Sequence, residues 1–268
     1  MNRIFLIDGS SMLSTHFYGN LPASYRFAKS EEEKKKALKE DLLQTSTGDY
    51  TNGVFNMAKT ILRLVNDYNP EYLAVCWDIS RETFRRKLYP GYKSHRKDTP
   101  LQLSSQFPLM QKVLDYMGVP QFKKENYEAD DLLGAISKRF SNENKIFILT
   151  KDRDALQLID SNTTVWLNTK QVSKFFLQIT ELDSDRKHAP VNYFPFSLEA
   201  FRIIYGLDPI QLIDLKGLTG DKSDSIPGID KMGEKTAIPI LQHYKTIENF
   251  YDQLNQYDSK EFKKNPFR

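Results

Sequence analysis

Three short, mostly apolar runs, Arg3-Ile4-Phe5-Leu6-Ile7, Tyr72-Leu73-Ala74-Val75-Cys76-Trp77 and Ile146-Phe147-Ile148-Leu149-Thr150, read as strands buried on both faces, the mark of a parallel sheet. Between them the period changes to that of a helix. Val54, Ala58, Ile61, Leu62 and Val65 fall on one predicted helical face, and further helices are predicted over 108–117 and 128–140, after which the Ile146 run begins. Gly118-Val119-Pro120 marks a step between the last two helices. Residues 25–44 are charged and predict a solvated helix with Glu31/Lys35 and Glu32/Lys36 four apart. Strands alternating with helices predict an α/β fold: a mostly parallel sheet flanked by helices. The pattern dissolves over 170–197, around Pro190 and Pro195, which predicts a boundary or an irregular connection. Helical patterns resume at Leu198, and the polar tail 252–268 is expected to fray.

Composition narrows the class. Of 268 residues 40% are hydrophobic, enough for a large core in one α/β domain or two smaller units. The single Cys76 excludes a disulfide framework and favours a reducing compartment. The first apolar run stops at Asp8, too soon for a signal peptide, and no stretch is long enough to span a bilayer, so a cytoplasmic location with no membrane partner is expected. The net charge of +3 conceals an uneven distribution. Nine acidic residues gather at positions with a chemical reading, which leaves the remainder strongly basic and suited to a polyanionic partner.

Asp8, Asp78 and Asp152 each follow one of the three runs, and the carboxyl ends of parallel strands are where doubly wound folds bind ligands. Glu128 and Asp131 are three apart in a helical first turn with Asp130 beside them, although acids there also serve as caps. Asp154 follows Asp152 with one residue between, and Asp221 and Asp224 lie in a Gly/Ser/Pro loop that turn formation alone could explain. Jointly, nine carboxylates in one cleft would repel one another into protonation unless cations neutralise them. All-oxygen ligation suits Mg²⁺ or Mn²⁺, whereas four scattered His and one Cys form no zinc-type cluster. Two such ions about 3.5–4 Å apart form a clamp for phosphodiester hydrolysis that needs no side-chain nucleophile. Ser10, Ser11 and His16 lack the strand-turn-helix elbow of a Ser-His hydrolase. An aspartyl-phosphate phosphatase would want Asp where Ser10 stands.

Directly after Asp78 come Arg81, Arg85, Arg86, Lys87, Lys93, Arg96 and Lys97, interleaved with Phe84, Tyr89 and Tyr92. Such a stretch is either an exposed basic loop or a surface that draws in phosphates and stacks unpaired bases. Residues 226–237 form a glycine-bounded turn, with Gly228 and Gly233, that opens a helix through Lys235 and Thr236; its N–H groups could bind phosphate without reading sequence.

Taken in order, LIDG, the aspartate of VCWD, YEADD, TKDRD and LTGDKSDSIPG followed by GIDKMGEKTA resemble the 5′-nuclease family, which includes the nuclease domain of bacterial DNA polymerase I, stand-alone 5′–3′ exonucleases and flap endonucleases. The resemblance runs from about residue 3 to about residue 251. It implies a PIN-like nuclease core over 1–185, with a basic helical arch at about 80–105, and a helix-hairpin-helix-type duplex-binding portion over 186–268. It further implies that Asp8, Asp78, Glu128, Asp130 and Asp131 serve one Mg²⁺ or Mn²⁺, and Asp152, Asp154, Asp221 and Asp224 a second. By the same resemblance Asp131, Asp152, Lys93 and Arg96 are catalytic. Arg81, Arg85, Arg86, Tyr92, Lys93 and Arg96 of the arch contact DNA, and so do Gly228, Gly233, Lys235 and Thr236 of the hairpin element, where a K⁺ ion is implied. The implied substrates are DNA 5′ ends, flaps and nicks, and RNA primer/DNA hybrids, cut by a monomer coupled to DNA polymerase and ligase. The charged 25–44 stretch is longer than expected of the family, Asn56 stands where relatives carry Gly, and 170–197 matches poorly. The chain's end soon after the hairpin element is expected of a stand-alone or truncated enzyme. Two rivals stand beside this reading: a protein of the same fold that binds branched DNA without cutting it, and a PIN-like ribonuclease, which would not need the hairpin element.

Overall fold

The first apolar run is a strand whose alternate side chains supply two separate cores: Ile4 and Leu6 join one, Phe5 and Ile7 the other. In the computed structural model, which describes residues 1–179, 189–190 and 192–254, six strands share one sheet. They are β1 (Asn2–Asp8), β2 (Tyr72–Trp77), β3 (Gln121–Lys123), β4 (Asn144–Thr150), β5 (Thr163–Asn168) and β6 (Tyr193–Phe196). Their order is β3-β2-β1-β4-β5-β6. β1 to β5 are parallel, and β6 pairs antiparallel with β5. The chain leaves β1 toward β2 on one side and later returns to β4 on the other. The crevice above the ends of β1 and β4 is therefore the topological switch point, where such sheets bind ligands.

One core face packs the Asn52–Tyr68 and Gln106–Tyr116 helices through Met57, Ile61, Leu64, Met110 and Leu114, with Phe5, Phe147 and Trp166 in mutual ring contact. The other packs the Ala129–Phe140 helix and the C-terminal helices, so that Leu6, Ile148, Phe201, Leu215 and Leu241 belong to one cluster. The Gly9–Gly19 helix starts immediately after Asp8. It can do so because residue 9 has no side chain: a Cβ there would lie 2.6 Å from Val75 Cγ1 and 2.7 Å from the Trp77 ring.

Several expectations are corrected. The 25–44 helix is two helices, Ala23–Phe27 and Glu31–Glu40, because Ser30 caps the second: its hydroxyl accepts the Glu33 N–H at 3.1 Å while the Glu33 carboxylate accepts the Lys29 N–H at 2.6 Å. The ion pairs formed are Lys34–Glu31 and Lys36–Glu40, not the two expected. On the Asn52–Tyr68 helix the buried stripe is Val54, Met57, Ile61 and Leu64, and Leu62 and Val65 are exposed. β3, β5 and β6 had no counterpart among the predicted strands. β6 lies beyond residue 185, in the expected helical portion, and completes the sheet. Residues 255–268 of the tail and 180–188 and 191 of the irregular connection lie outside the described residues. Among the described residues no helix is long and apolar enough to cross a membrane.

Candidate active site

Asp8 ends β1, Asp78 follows β2 and Asp152 follows β4, so neighbouring parallel strands deliver three carboxylates to the switch-point crevice. Asp8 is 5% exposed. One of its oxygens accepts the Ser11 N–H at 2.9 Å and the other the Thr150 hydroxyl at 2.8 Å. Burial nevertheless pushes its pKa up to about 7, reinforced by the charges of Asp78 and Asp152 and opposed by those two hydrogen bonds. Burial also raises Asp130 well above the usual carboxylate range, aided by Asp8, Asp152 and Asp78. Its Oδ1 is buried with no hydrogen-bond partner among the described residues. Asp78 accepts the Ala129 N–H at 2.8 Å, which ties the second strand to the helix carrying Asp130.

A second acidic group sits beside the first. Ligand atoms of Asp154, Asp221 and Asp224 lie within 4.8 Å of one another. Asp154 belongs to a short 3-10 turn capped by Asp152, which accepts the Asp154 N–H at 2.9 Å. Asp221 and Asp224 sit in a loop pinned by paired backbone hydrogen bonds between Asp221 and Ile226, both 2.8 Å. The loop folds back so closely that a Cβ on Gly228 would lie 2.2 Å from the Thr219 carbonyl carbon, so only glycine fits. The ammonium of Lys216 bonds both Asp154 and Asp221. Burial outweighs that contact at Asp154, whose pKa is raised. At Asp221 the desolvation is overcome by Lys216 together with Ser223, whose N–H donates at 2.7 Å and hydroxyl at 2.5 Å, and the pKa falls to about 2. Lys216 itself is raised, because its two carboxylate partners outweigh its desolvation.

The basic stretch lies over these acids. Lys93, with φ 53°, bonds Glu128 at 2.8 Å, and its backbone N–H donates to Asp224 O at 2.9 Å. Arg96 bonds Asp224 at 2.9 Å. Arg85 makes two 2.8 Å bonds to Asp131. Arg81 is spent on the carbonyls of Arg96 and Lys97 and on Asp98, and Arg86 pairs with Glu82. The expected helical arch consists of a five-residue helix, Phe84–Leu88, turns over 89–95 and a four-residue helix, Leu101–Ser104.

Asp8, Asp78, Glu128, Asp130, Asp152, Asp154 and Asp221 line one cleft of about 1830 Å³, together with Arg86, Lys93, Arg96 and Lys216. Asp131 and Asp224 do not line it. Asp131 forms a capping box with Glu128, accepting its N–H at 2.9 Å, and faces Arg85, which with the other hydrogen bonds outweighs burial and lowers its pKa. Tyr92, expected to offer DNA an aromatic face, is 7% exposed and donates its hydroxyl to Glu128 at 3.0 Å. Gly228, Gly233, Lys235 and Thr236 are exposed around the start of the Glu234–Tyr244 helix. Lys216 and Thr150 were not singled out from sequence. Nothing local marks Lys216, a lysine on a helical stretch five residues before Asp221.

The donor set fits divalent cations. It is wholly oxygen, two of its carboxyls are held protonated-leaning by burial, and one buried oxygen has no partner. Asp154, Asp221 and Asp224 are close enough to share one ion. Asp8, Asp78 and Asp130 would hold the other together with Asp152, which was expected in the second set and whose charge acts on Asp8, Asp130 and Asp154 alike. Glu128 and Asp131, expected in the first set, are instead bonded to Lys93 and Arg85.

Residues 3–184 match the family described as 5′-3′ exonuclease, N-terminal resolvase-like domain, and residues 207–265 match 5′-3′ exonuclease, C-terminal SAM fold. A 5′-3′ exonuclease of Halalkalibacterium halodurans is 32% identical over 260 residues, covering 96% of this chain and 75% of that protein. DNA polymerase I of Bacillus caldotenax is 33% identical over 262 residues, 97% of this chain. The chain spans about a quarter (26%) of that polymerase's length. A bacteriophage T5 flap endonuclease, solved as a pseudo-enzyme-product complex with DNA and metal ions, superposes with a TM-score of 0.63 at 18% identity, covering 96% of this chain and 80% of that one. With both family descriptions matched in sequence order, and the acidic crevice lying within the first, this chain belongs to the 5′-3′ exonuclease family.

Proposed function

We propose that the protein is a divalent-metal-dependent 5′–3′ exonuclease and 5′-flap endonuclease that hydrolyses DNA phosphodiester bonds near single-strand/double-strand junctions. The observation that carries this reading is the convergence of seven of the nine sequence-predicted carboxylates on one cleft at the sheet's switch point, with a buried Asp130 oxygen unpartnered. When bound, two Mg²⁺ or Mn²⁺ ions would activate water and stabilise the charge that develops on the phosphate. The chain's own residues orient and neutralise. Thr150 and Ser11 fix the Asp8 carboxyl, the Ala129 N–H fixes Asp78, and Lys93 and Arg96 bring positive charge to the rim where a phosphate would enter. In this reading Arg81, Arg85 and Arg86 guide the strand once released from their present partners. Gly228, Gly233, Lys235 and Thr236, with a K⁺ ion, grip the duplex behind the junction.

The same proposal assigns the core and arch to residues 1–185 and duplex gripping to 186–268, with β6 as the joint between them. The substrates are 5′ ends, flaps, nicks and RNA primer/DNA hybrids, cut by a monomer in the cytoplasm alongside polymerase and ligase. The test is incubation with 5′-flap, nicked, blunt, single-stranded and RNA-containing substrates, with and without Mg²⁺, and mapping of the products. Asp152→Asn should lower flap cleavage by about 10²–10³-fold, the loss of several kcal/mol of metal-borne charge stabilisation, while DNA affinity in EDTA changes little. Cleavage that persists in EDTA, or in Asp152→Asn, would contradict the metal reading. Binding without cleavage would favour the non-catalytic rival, and preferential cutting of RNA the PIN-like ribonuclease.

A further inference from the structure

The two acidic groups are compensated in different ways. Among the described residues Asp8, Asp78, Asp130 and Asp152 themselves make no ion pair; the cations close by are spent on the neighbouring acids, Lys93 on Glu128 and Arg85 on Asp131. In the other group the Lys216 ammonium is bonded to Asp154 and Asp221 at once. It thereby occupies the position of a cation among the Asp154, Asp221 and Asp224 oxygens. The lysine does not arrive on a movable turn. It projects from the Gln211–Thr219 helix, which is anchored by buried Leu212, Leu215 and Leu218. Asp224 is further engaged by Arg96, from the exposed turn over the cleft.

We propose that Lys216 is a built-in competitor for the second divalent cation. Resting on the two-metal reading above, this makes the Asp154/Asp221/Asp224 position the weaker one, filled after the Asp8/Asp78/Asp130/Asp152 position. A cation entering there must break two ion pairs that the first position does not contain. No covalent bond changes. Lys216 keeps its proton and its positive charge, and the freed ammonium remains at the cleft wall, which Lys216 lines, within reach of an incoming phosphate. Substrate and metal are thereby coupled: a phosphate that takes up the displaced ammonium favours metal entry, and metal entry favours the phosphate.

The experiment is calorimetric titration of the full chain with Mn²⁺ in the absence of DNA, repeated by electron paramagnetic resonance of free Mn²⁺. The wild type should show two classes of site. Lys216→Met, which keeps the aliphatic stem but removes the charge, should tighten the weaker class by about tenfold, equivalent to about 1.4 kcal/mol, and leave the tighter class within about twofold. Lys216→Arg, which retains a cation, should keep the weak class weak. If Lys216→Met fails to fold, as judged by circular dichroism, Lys216→Gln takes its place. Two classes whose affinities are unmoved or weakened by removing the charge would overturn the role of Lys216 alone. A single class in the wild type would overturn the two-metal reading, and this proposal with it.

Discussion

Asp8 is the residue at which fold and chemistry conflict most directly. It terminates a buried strand, so its carboxyl loses water, and its pKa is pushed up to about 7. The metal-free folded state therefore holds this proton more tightly than the unfolded chain does. The contribution to stability is full below an ordinary aspartate pKa of about 3.9 and is lost as pH rises toward about 7, on the order of 4 kcal/mol in total. Without divalent metal, the melting temperature of the wild type should fall relative to Asp8→Asn across that window. Mg²⁺ should cancel the fall, and calorimetry near pH 6 in buffers of different ionisation enthalpy should register proton release on metal binding. A parallel pair of melting curves across this pH range would contradict the assignment. Such carboxylates were legible in sequence because each follows an apolar run. Lys216 was not, since a helical lysine looks the same whether it faces solvent or two aspartates from distant segments. Nor was the burial of Tyr92, because an aromatic among arginines reads as a stacking platform until its hydroxyl is seen on Glu128.

At the scale of elements, the crevice depends on how tightly the Gly9–Gly19 helix leaves β1. Gly9→Ala would place a methyl 2.6 Å from Val75 and 2.7 Å from Trp77, with no room in a fully buried layer. A destabilisation of about 1–3 kcal/mol is expected, read from the urea midpoint, with a loss of metal affinity because Asp8 is the preceding residue. An unchanged midpoint and affinity would show that the layer yields. The parallel strands and the helices between them were readable from period and length. β5 begins with two threonines and β6 contains a proline, so neither resembles the long apolar runs, and β3 has only three residues. Pairing partners, not local pattern, make these into strands. The helix break at Ser30 is hidden in the sequence because a run of charges surrounds its serine cap.

At the scale of the whole molecule, one core contains both Ile4 and Tyr244, so the sheet and the C-terminal helices share a single apolar interior. Unfolding in urea followed by the fluorescence of Trp77 and Trp166 should coincide with that followed by far-ultraviolet circular dichroism, in one transition. A separate early loss of helical signal would mean that the C-terminal helices unfold on their own. The sheet's margins carry one more consequence. On one side it ends in three residues of β3, and on the other in the four of β6, whose Pro195 offers no N–H. A neighbouring chain finds too short a ladder on either margin to add a strand of its own, so crowded copies of this protein are guarded against sheet-to-sheet aggregation.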